Sequence, residues 1–514
     1  MFTFKPIHAG LPALLLALGG CAATGPDFHA PAPVTHAAVF DDAKGEGVPS
    51  QAVAGQVDPS WWKLFGDPAL VALEQDALAA NFDLRAAALR IAQGRAALKM
   101  TGAALLPRLD ANASQLRERA SPTGILALMG TAAPVSADAA SGADPFGTAS
   151  MPGESGSPPY SLSQFGVDAS WELDLWGRAR RMRESAAAQL EAAHFDAQAM
   201  RVSVTAEVAR VYLELRGVQD DLRIVRANAD LAARSLHVAE RRREQGIATR
   251  FDTSVSGAQV ETIRAAIPAL EQRRDALMNA LALLLAQPPH ALDARLSPEV
   301  DVPRLPARVP VGLPSELARR RPDILRAEAR LHAATAAIGV AKADFYPSIS
   351  LTGSFGFQSL KFSDVGDWAS RQFALGPVLH LPIFEGGRLK GNLALTEARQ
   401  QEAAIDYQRT VLGAWHEVAN AMTAWRAVQQ RAAHLELAVT QNKQALANAQ
   451  RRYEQGAADY LNVLVIQQRL LDSDNAASRG RTEMALAMVA LYKALGGGWD
   501  PALPALAVVA QEAK

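Results

Sequence analysis

Few residues in this 514-residue chain are spaced for bond chemistry. His237 and Glu240, three apart, and Glu328 and His332, four apart, fall on one side of a helix, where a histidine and a carboxylate can share a metal ion or a proton. Each pair stands in a charged stretch without a third ligand or a nucleophile, so both read as solvated helix faces. Gly496-Gly497-Gly498 follows a helical run and not a strand, which makes it a helix terminator and not a phosphate cradle. The single cysteine, Cys21, excludes an intrachain disulfide and a thiolate metal cluster. The chain is expected to be no enzyme, to hold no metal and to need no cofactor.

Cys21 has a different use. Residues 1–20 carry a lone Lys5, an apolar run from Leu11 to Leu18 that is too short to span a bilayer, and then Leu18-Gly19-Gly20 before the cysteine. This reads as a bacterial secretory signal, and its end resembles a lipobox, which implies that Cys21 becomes the lipidated first residue of a mature lipoprotein. Ala22 is not the aspartate associated with inner-membrane retention, which favours the outer membrane. The net charge of −1 supplies no field that would gather nucleic acid.

The elements that must position everything else begin at Phe165. Phe165, Val167, Ala169, Trp171, Leu173 and Leu175 alternate with Gly166, Asp168, Ser170, Glu172 and Asp174, the period of two of a strand with an apolar and a polar face. From Arg178 to Gln245 no proline interrupts the chain. Val208, Val211, Leu215, Val218, Leu222 and Val225 recur there at steps of three and four, the seam of a coiled coil about 100 Å long. Glu244-Gln245-Gly246 returns 210 positions later as Glu454-Gln455-Gly456, and Gly177-Arg178 returns as Gly387-Arg388. A matching seam is expected at Val418, Ala421, Trp425, Val428, Ala432 and Leu435, so the chain is read as two tandem copies of one unit.

In chain order, the expected parts are a signal at 1–20, a lipidated tether at 21–60, a first repeat at 61–286, a proline-rich linker at 287–313, a second repeat at 314–499 and a tail at 500–514. The first repeat is read as a helix from about Pro68 to Leu105, a strand after Pro107, a loop over 117–160, the strand and long helix described above, and a helix from Asp252 to Ala286. The second is read as a helix from about Glu316 to Phe345 and a strand in which Ile349, Leu351, Phe355 and Phe357 share one face. A further strand carries Phe373, Leu375, Leu379, Leu381 and Ile383 on one parity. Four strands of about ten residues cannot close a barrel, and an open sheet would leave unpaired edges in lipid. Three chains would supply about twelve strands, within the range of membrane barrels. Trp171, Trp176, Phe355, Phe357, Trp368 and Phe373 stand where aromatic girdles are expected, although a soluble sandwich would also bury aromatics.

GPDF (25–28), WELDLWGR (171–178), GLPSELARRRPDI (312–324), DFYPSISL (344–351) and LPIFEGGR (381–388) resemble the TolC-like outer-membrane factors, in particular the OprM/NodT lipoprotein branch. The resemblance covers nearly all of the mature chain. It implies a membrane α+β fold: a homotrimer with a twelve-stranded β-barrel, four strands per chain, continued by a long antiparallel coiled-coil α-helical barrel. It further implies a passive outer-membrane channel of a tripartite, RND-type efflux system, docking a periplasmic adaptor and an inner-membrane pump and exporting drugs or other small toxic compounds. The membrane-proximal end of the tunnel is expected at the helix stops Gly246 and Gly456. The family's latch maps to Tyr453 and Asp252. The pore-lining acids of TolC itself map to Asn462 and Val465, and the acid of OprM maps to Ala458, so a carboxylate ring does not transfer directly. Asp459 is the nearest substitute, either as a ring that favours cations or as a solvated helix cap. A periplasmic adaptor lipoprotein, which also has a signal, a lipid and a helical hairpin, is the alternative.

Overall fold

The computed structural model describes residues 23–32, 50–53, 55, 57–119, 159–303, 305–312 and 320–500. The signal, Cys21, the tail from 501 on, most of the 117–160 loop and residues 313–319 of the GLPSELARRRPDI stretch lie outside the described residues. The chain divides into two compact units, one drawn from residues up to 26, 99–183 and 336–396, the other from 27–98, 184–335 and 397 onward. Among the described residues no helix is long and apolar enough to cross a membrane.

The elements, in chain order, are β1 (Gln51–Val53), a 3-10 turn at Trp61–Phe65, α1 (Pro68–Ala80), α2 (Phe82–Gly102), β2 (Arg108–Glu118), β3 (Tyr160–Leu173), α3 (Arg178–Glu244), α4 (Arg250–Ala265), α5 (Ile267–Leu284) and α6 (Asp293–Leu296). There follow β4 (Arg308–Pro310), α7 (Pro322–Ala343), β5 (Ser348–Ser359), β6 (Arg371–His380), α8 (Arg388–Glu454) and α9 (Tyr460–Ala494).

The first unit is built on an antiparallel sheet in the order β2-β3-β5-β6. Its register sets Val167 between Ala111 and Phe355, and Phe355 opposite Phe373, so the apolar parities of all four strands share one face. Asp110, Asp168 and Ser354 align on the other. The apolar face is bare among the described residues: Leu109 is 72%, Phe373 76% and Leu375 79% exposed. Among the described residues β2 and β6 each have a single neighbour, which leaves two edges unpaired there. β6 ends at His380, so Leu381 and Ile383 follow the strand instead of extending its parity.

The second unit is helical. α3 and α8 are each 67 residues long. All six seam positions of α3 are buried, from Val208 to Val225. In α8 the seam is shifted: Val418, Met422, Trp425, Gln429 and Ala432 are buried, while Ala421, Val428 and Leu435 are only half-buried. A 3.6-residue period lets either Ala421 or Met422 turn inward, and the larger Met removes more apolar area from water. Gln429 is half-satisfied: its Oε1 accepts the Ser50 amide at 2.9 Å, while its buried Nε2 has no partner among the described residues.

Two helices expected to be continuous are broken. Asn81 ends α1 and starts α2: its Oδ1 accepts from Asp83 N (2.9 Å) and Leu84 N (3.2 Å), while its Nδ2 donates to the Leu284 carbonyl (2.8 Å). Thr249 caps α4, and Pro268, in the first turn of α5, divides the expected 252–286 helix after Ala265. The expected tether and linker meet, because β1 and β4 pair in parallel, Ala52 opposite Val309. Trp61 then stacks on Tyr492 at 5.3 Å inside the core.

Glu74 of α1 lies in this unit fully buried, with both carboxylate oxygens lacking a partner. Burial pushes its carboxyl well above the ordinary value. A raised carboxyl contributes stability that is complete below its unfolded value, about 4.3, and is lost as pH rises through the folded value. Glu74→Leu is therefore expected to stabilise the purified protein by about 1–3 kcal/mol at neutral pH. Its melting-temperature advantage over wild type should widen as pH is raised from about 4. An advantage that does not change with pH would show that Glu74 is not the titrating group.

Candidate functional site

In the sheet unit, the WELDLWGR stretch is the turn that converts β3 into α3. Asp174 stops the strand by accepting from the first helical amides, Ala179 N at Oδ1 and Arg180 N at Oδ2, both at 2.9 Å. Gly177 adopts φ +81°, open to a residue without Cβ. Arg178 returns to Glu172 with Nε at 3.2 Å and Nη2 at 3.1 Å, a bidentate pair. The DFYPSISL stretch closes on it: Trp176 stacks on Tyr346 at 4.7 Å and donates Nε1–H to the Pro347 carbonyl at 2.7 Å. Glu172, Asp174, Trp176 and Arg178, with Asp344 and Arg388, line an open cleft of about 270 Å³. Burial there raises the Asp344 carboxyl above its ordinary value, against the pull of Arg178 and Arg388.

Residues 24–26, within the expected 21–60 tether, belong to this unit as well. Thr24 N donates to the Trp176 carbonyl at 2.9 Å, and Arg181 Nε donates to the Thr24 carbonyl at 3.2 Å. Gly339 of α7 admits this strap because it has no side chain: a Cβ there would stand 2.7 Å from the Thr24 carbonyl oxygen.

In the helical unit, the expected gate residues sit at helix ends. Gly246 (φ +73°) and Gly456 (φ +74°) each terminate a 67-residue helix in the same way. Gly246 N donates to Arg243 O and Ile247 N to Arg242 O; Gly456 N donates to Tyr453 O and Ala457 N to Arg452 O. This is the doubly bonded glycine stop. Asp252 sits in a capping box, its Oδ2 accepting from Thr249 N and Thr249 Oγ1, both at 2.8 Å. Asp459 is exposed and caps α9, accepting from Leu461 N at 3.4 Å; Asn462 is exposed one turn in.

Tyr453 is joined to residues the sequence did not single out. The Arg242 guanidinium carbon lies 4.0 Å from its ring centroid, and Tyr460 packs on it at 5.1 Å. Arg242 is one of three consecutive arginines at a helix C-terminus, where the dipole alone would explain a cation, so nothing in the pattern marks it. His237 and Glu240 are both exposed, and His332 Nε2 bonds Glu184 at 3.0 Å. Gly496 (φ +73°) ends α9.

A four-stranded amphipathic sheet and paired 67-residue helices can be compared with known proteins. The sequence profile of the family described as outer membrane efflux protein matches residues 73–287 and 313–497. The chain belongs to this family. Outer membrane protein OprJ of Pseudomonas aeruginosa is 35% identical over 493 residues, covering 96% of each chain. Pyoverdine export outer membrane protein OpmQ of Pseudomonas putida is 33% identical over 499 residues, covering 97% of this chain and 99% of its own. The solved outer-membrane channel OprN superposes with a TM-score of 0.81 at 30% identity, over 93% of this chain and 99% of that one. This outer membrane efflux protein is thus a component of an efflux system, resides in the bacterial outer membrane and reaches into the periplasm; its fold is that of the TolC-like channels. The match sets the adaptor alternative aside.

Gly339→Ala should push the 24–26 strap off α7. Amide hydrogen exchange at Thr24 is then expected to accelerate, with a loss of about 1–3 kcal/mol in stability from overpacking. Unchanged exchange at Thr24 would mean that the strap is held by other contacts.

Proposed function

We propose that this efflux protein is a passive trimeric conduit, without catalytic activity, through which a partner pump and a periplasmic adaptor export small toxic compounds such as drugs. The observation that carries the reading is the sheet of the first unit, with a bare apolar face, a polar face and two open edges. Hydrocarbon tolerates neither an open edge nor an unpaired amide, so the edges must be met by other copies. Three copies give about twelve strands, enough to enclose water, whereas two would give about eight and an interior filled by side chains. A lipid on Cys21 would add an anchor to the barrel.

In this reading the helix ends at Gly246 and Gly456 form the inner mouth, latched through Tyr453 and Asp252, with Asn462 near the constriction. Three copies of Asp459 line it and favour cations. The long cap contact of Asp459 and its exposure support this, since a carboxylate that binds one amide at 3.4 Å keeps most of its acceptor capacity. The relative OpmQ is named for pyoverdine export, and export of a small molecule is the cargo class proposed here.

Purified protein added to planar lipid bilayers should give discrete conductance steps and behave as a trimer on cross-linking. A monomer that leaves the bilayer insulating contradicts the reading. Asp459→Asn is expected to lower the ratio of cation to anion permeability several-fold; an unchanged ratio would leave Asp459 as a helix cap alone.

A further inference from the structure

The cleft where β3 passes into α3 is a cavity whose walls differ in kind. Four carboxylates line it, Glu172, Asp174, Asp344 and Glu385, against two guanidinium groups, Arg178 and Arg388. Three of the acids are engaged within the chain. Glu172 holds Arg178 with contacts at 3.2 and 3.1 Å, Asp174 takes the first amides of α3 together with Arg180, and Glu385 takes Arg388 Nε at 2.6 Å. Asp344 is the fourth, and among the described residues its carboxylate makes no hydrogen bond or ion pair. The charges that act on it, those of Arg178, Arg388, Glu172 and Glu385, all belong to the cleft.

Two further features favour a positive guest. Asp344 directly follows α7, which ends at Ala343, so the negative end of that helix adds to its charge. The positive ends of α3 and α8 also reach the cleft, but Asp174 and Glu385 stand against them. The stacked pair Trp176 and Tyr346 completes the wall, and Tyr346 is exposed, which supplies an aromatic surface for a cation.

We propose that this cleft is a binding site for a small organic cation, a primary ammonium carried on a single aromatic ring. Asp344 receives the ammonium, and the Trp176–Tyr346 pair receives the ring. The volume of about 270 Å³ lies just under the usual range of small-ligand pockets, about 300–1,000 Å³, and limits the guest to about one ring. A bare metal ion suits the cleft less, because among the described residues no group of three His, Cys, Asp or Glu side chains can hold one. The place of the site on a transport path rests on the channel reading above. Glu172, Ser348 and His380 carry the same parity as Asp168 and Ser354, so the cleft opens on the polar face of the sheet, which that reading turns toward the lumen. There it is a stop for cationic cargo where the sheet meets the helices. Such a stop must also release its guest, which sets the expected dissociation constant near 1 mM in order of magnitude, about that of a weak complex.

Equilibrium dialysis of the purified full-length protein in detergent, with phenethylammonium as the probe, tests the binding itself. Wild type should take up the ammonium and bind its neutral analogue, phenethyl alcohol, about five- to tenfold more weakly. Asp344→Asn keeps the shape of the side chain without its charge; it should weaken the ammonium about five- to tenfold and leave the alcohol unchanged. Tyr346→Leu should weaken the ammonium about threefold, and Tyr346→Phe should stay within about twofold of wild type. Asp364→Asn removes a carboxylate beyond the other end of β5 and should change nothing. The comparison of the two probes on wild type holds whether or not a variant folds.

Equal binding of ammonium and alcohol by wild type, no binding of either at about 10 mM, or an Asp344→Asn variant that binds the ammonium like wild type overturns the site. Displacement of the ammonium by equimolar magnesium chloride overturns the choice of an organic cation. Planar bilayers separate this inference from the channel reading. A bilayer that stays insulating while dialysis behaves as expected contradicts the channel reading and leaves the site standing; a bilayer that conducts while wild type binds no ammonium overturns the site alone.

Discussion

A backbone amide in hydrocarbon has no water to fall back on, and this sets the terms for the sheet of β2, β3, β5 and β6. Among the described residues its two inner strands are paired on both sides, whereas β2 and β6 keep a row of open donors and acceptors. Its apolar parity carries Leu109, Phe165, Phe355, Phe373 and Leu375 into the open. Such a surface is costly in water and unstable in lipid unless the edges close. Closure through copies of the same chain would satisfy both demands, and the polar parity, with Asp110, Asp168 and Ser354 in register, would then face an enclosed aqueous space.

The strand-to-helix turn translates this sheet into helices. Asp174 supplies acceptors to the first free amides of α3, and the Arg178 fork on Glu172 ties the helix start to the strand end. In the second half, Arg388 pairs with Glu385 across Gly386 and Gly387, both at positive φ. Each helix then runs 67 residues to a glycine stop that shares the same two closing bonds. Fixed starts and fixed stops explain why the spacing of 210 is kept without a gap from Arg178 to Gly246 and from Arg388 to Gly456.

Much of this was legible because it is periodic or local. The alternation from Phe165 to Leu173, the α3 seam and the glycine stops depend on residues a few positions apart, and the structure places them as the spacing indicates. What was not legible depends on distant partners. Asn81 breaks a helical run only because its amide reaches Leu284, some two hundred residues away. β1 and β4 are three residues each and acquire meaning only when paired. In α8 the choice of Met422 over Ala421 is made by packing. At the helix ends, the neighbours of Tyr453, Arg242 and Tyr460, were not legible, since they meet in a contact between α3, α8 and α9 that no local pattern encodes.

The account depends most on which face of the sheet meets water. Single cysteines placed along β3 in intact outer membranes and exposed to a water-soluble maleimide read this directly. Gly166→Cys, Asp168→Cys and Ser170→Cys should label, while Val167→Cys, Ala169→Cys and Trp171→Cys should not. Equal labelling of both parities would mean that β3 does not divide lipid from water, and the closed barrel would have to be abandoned.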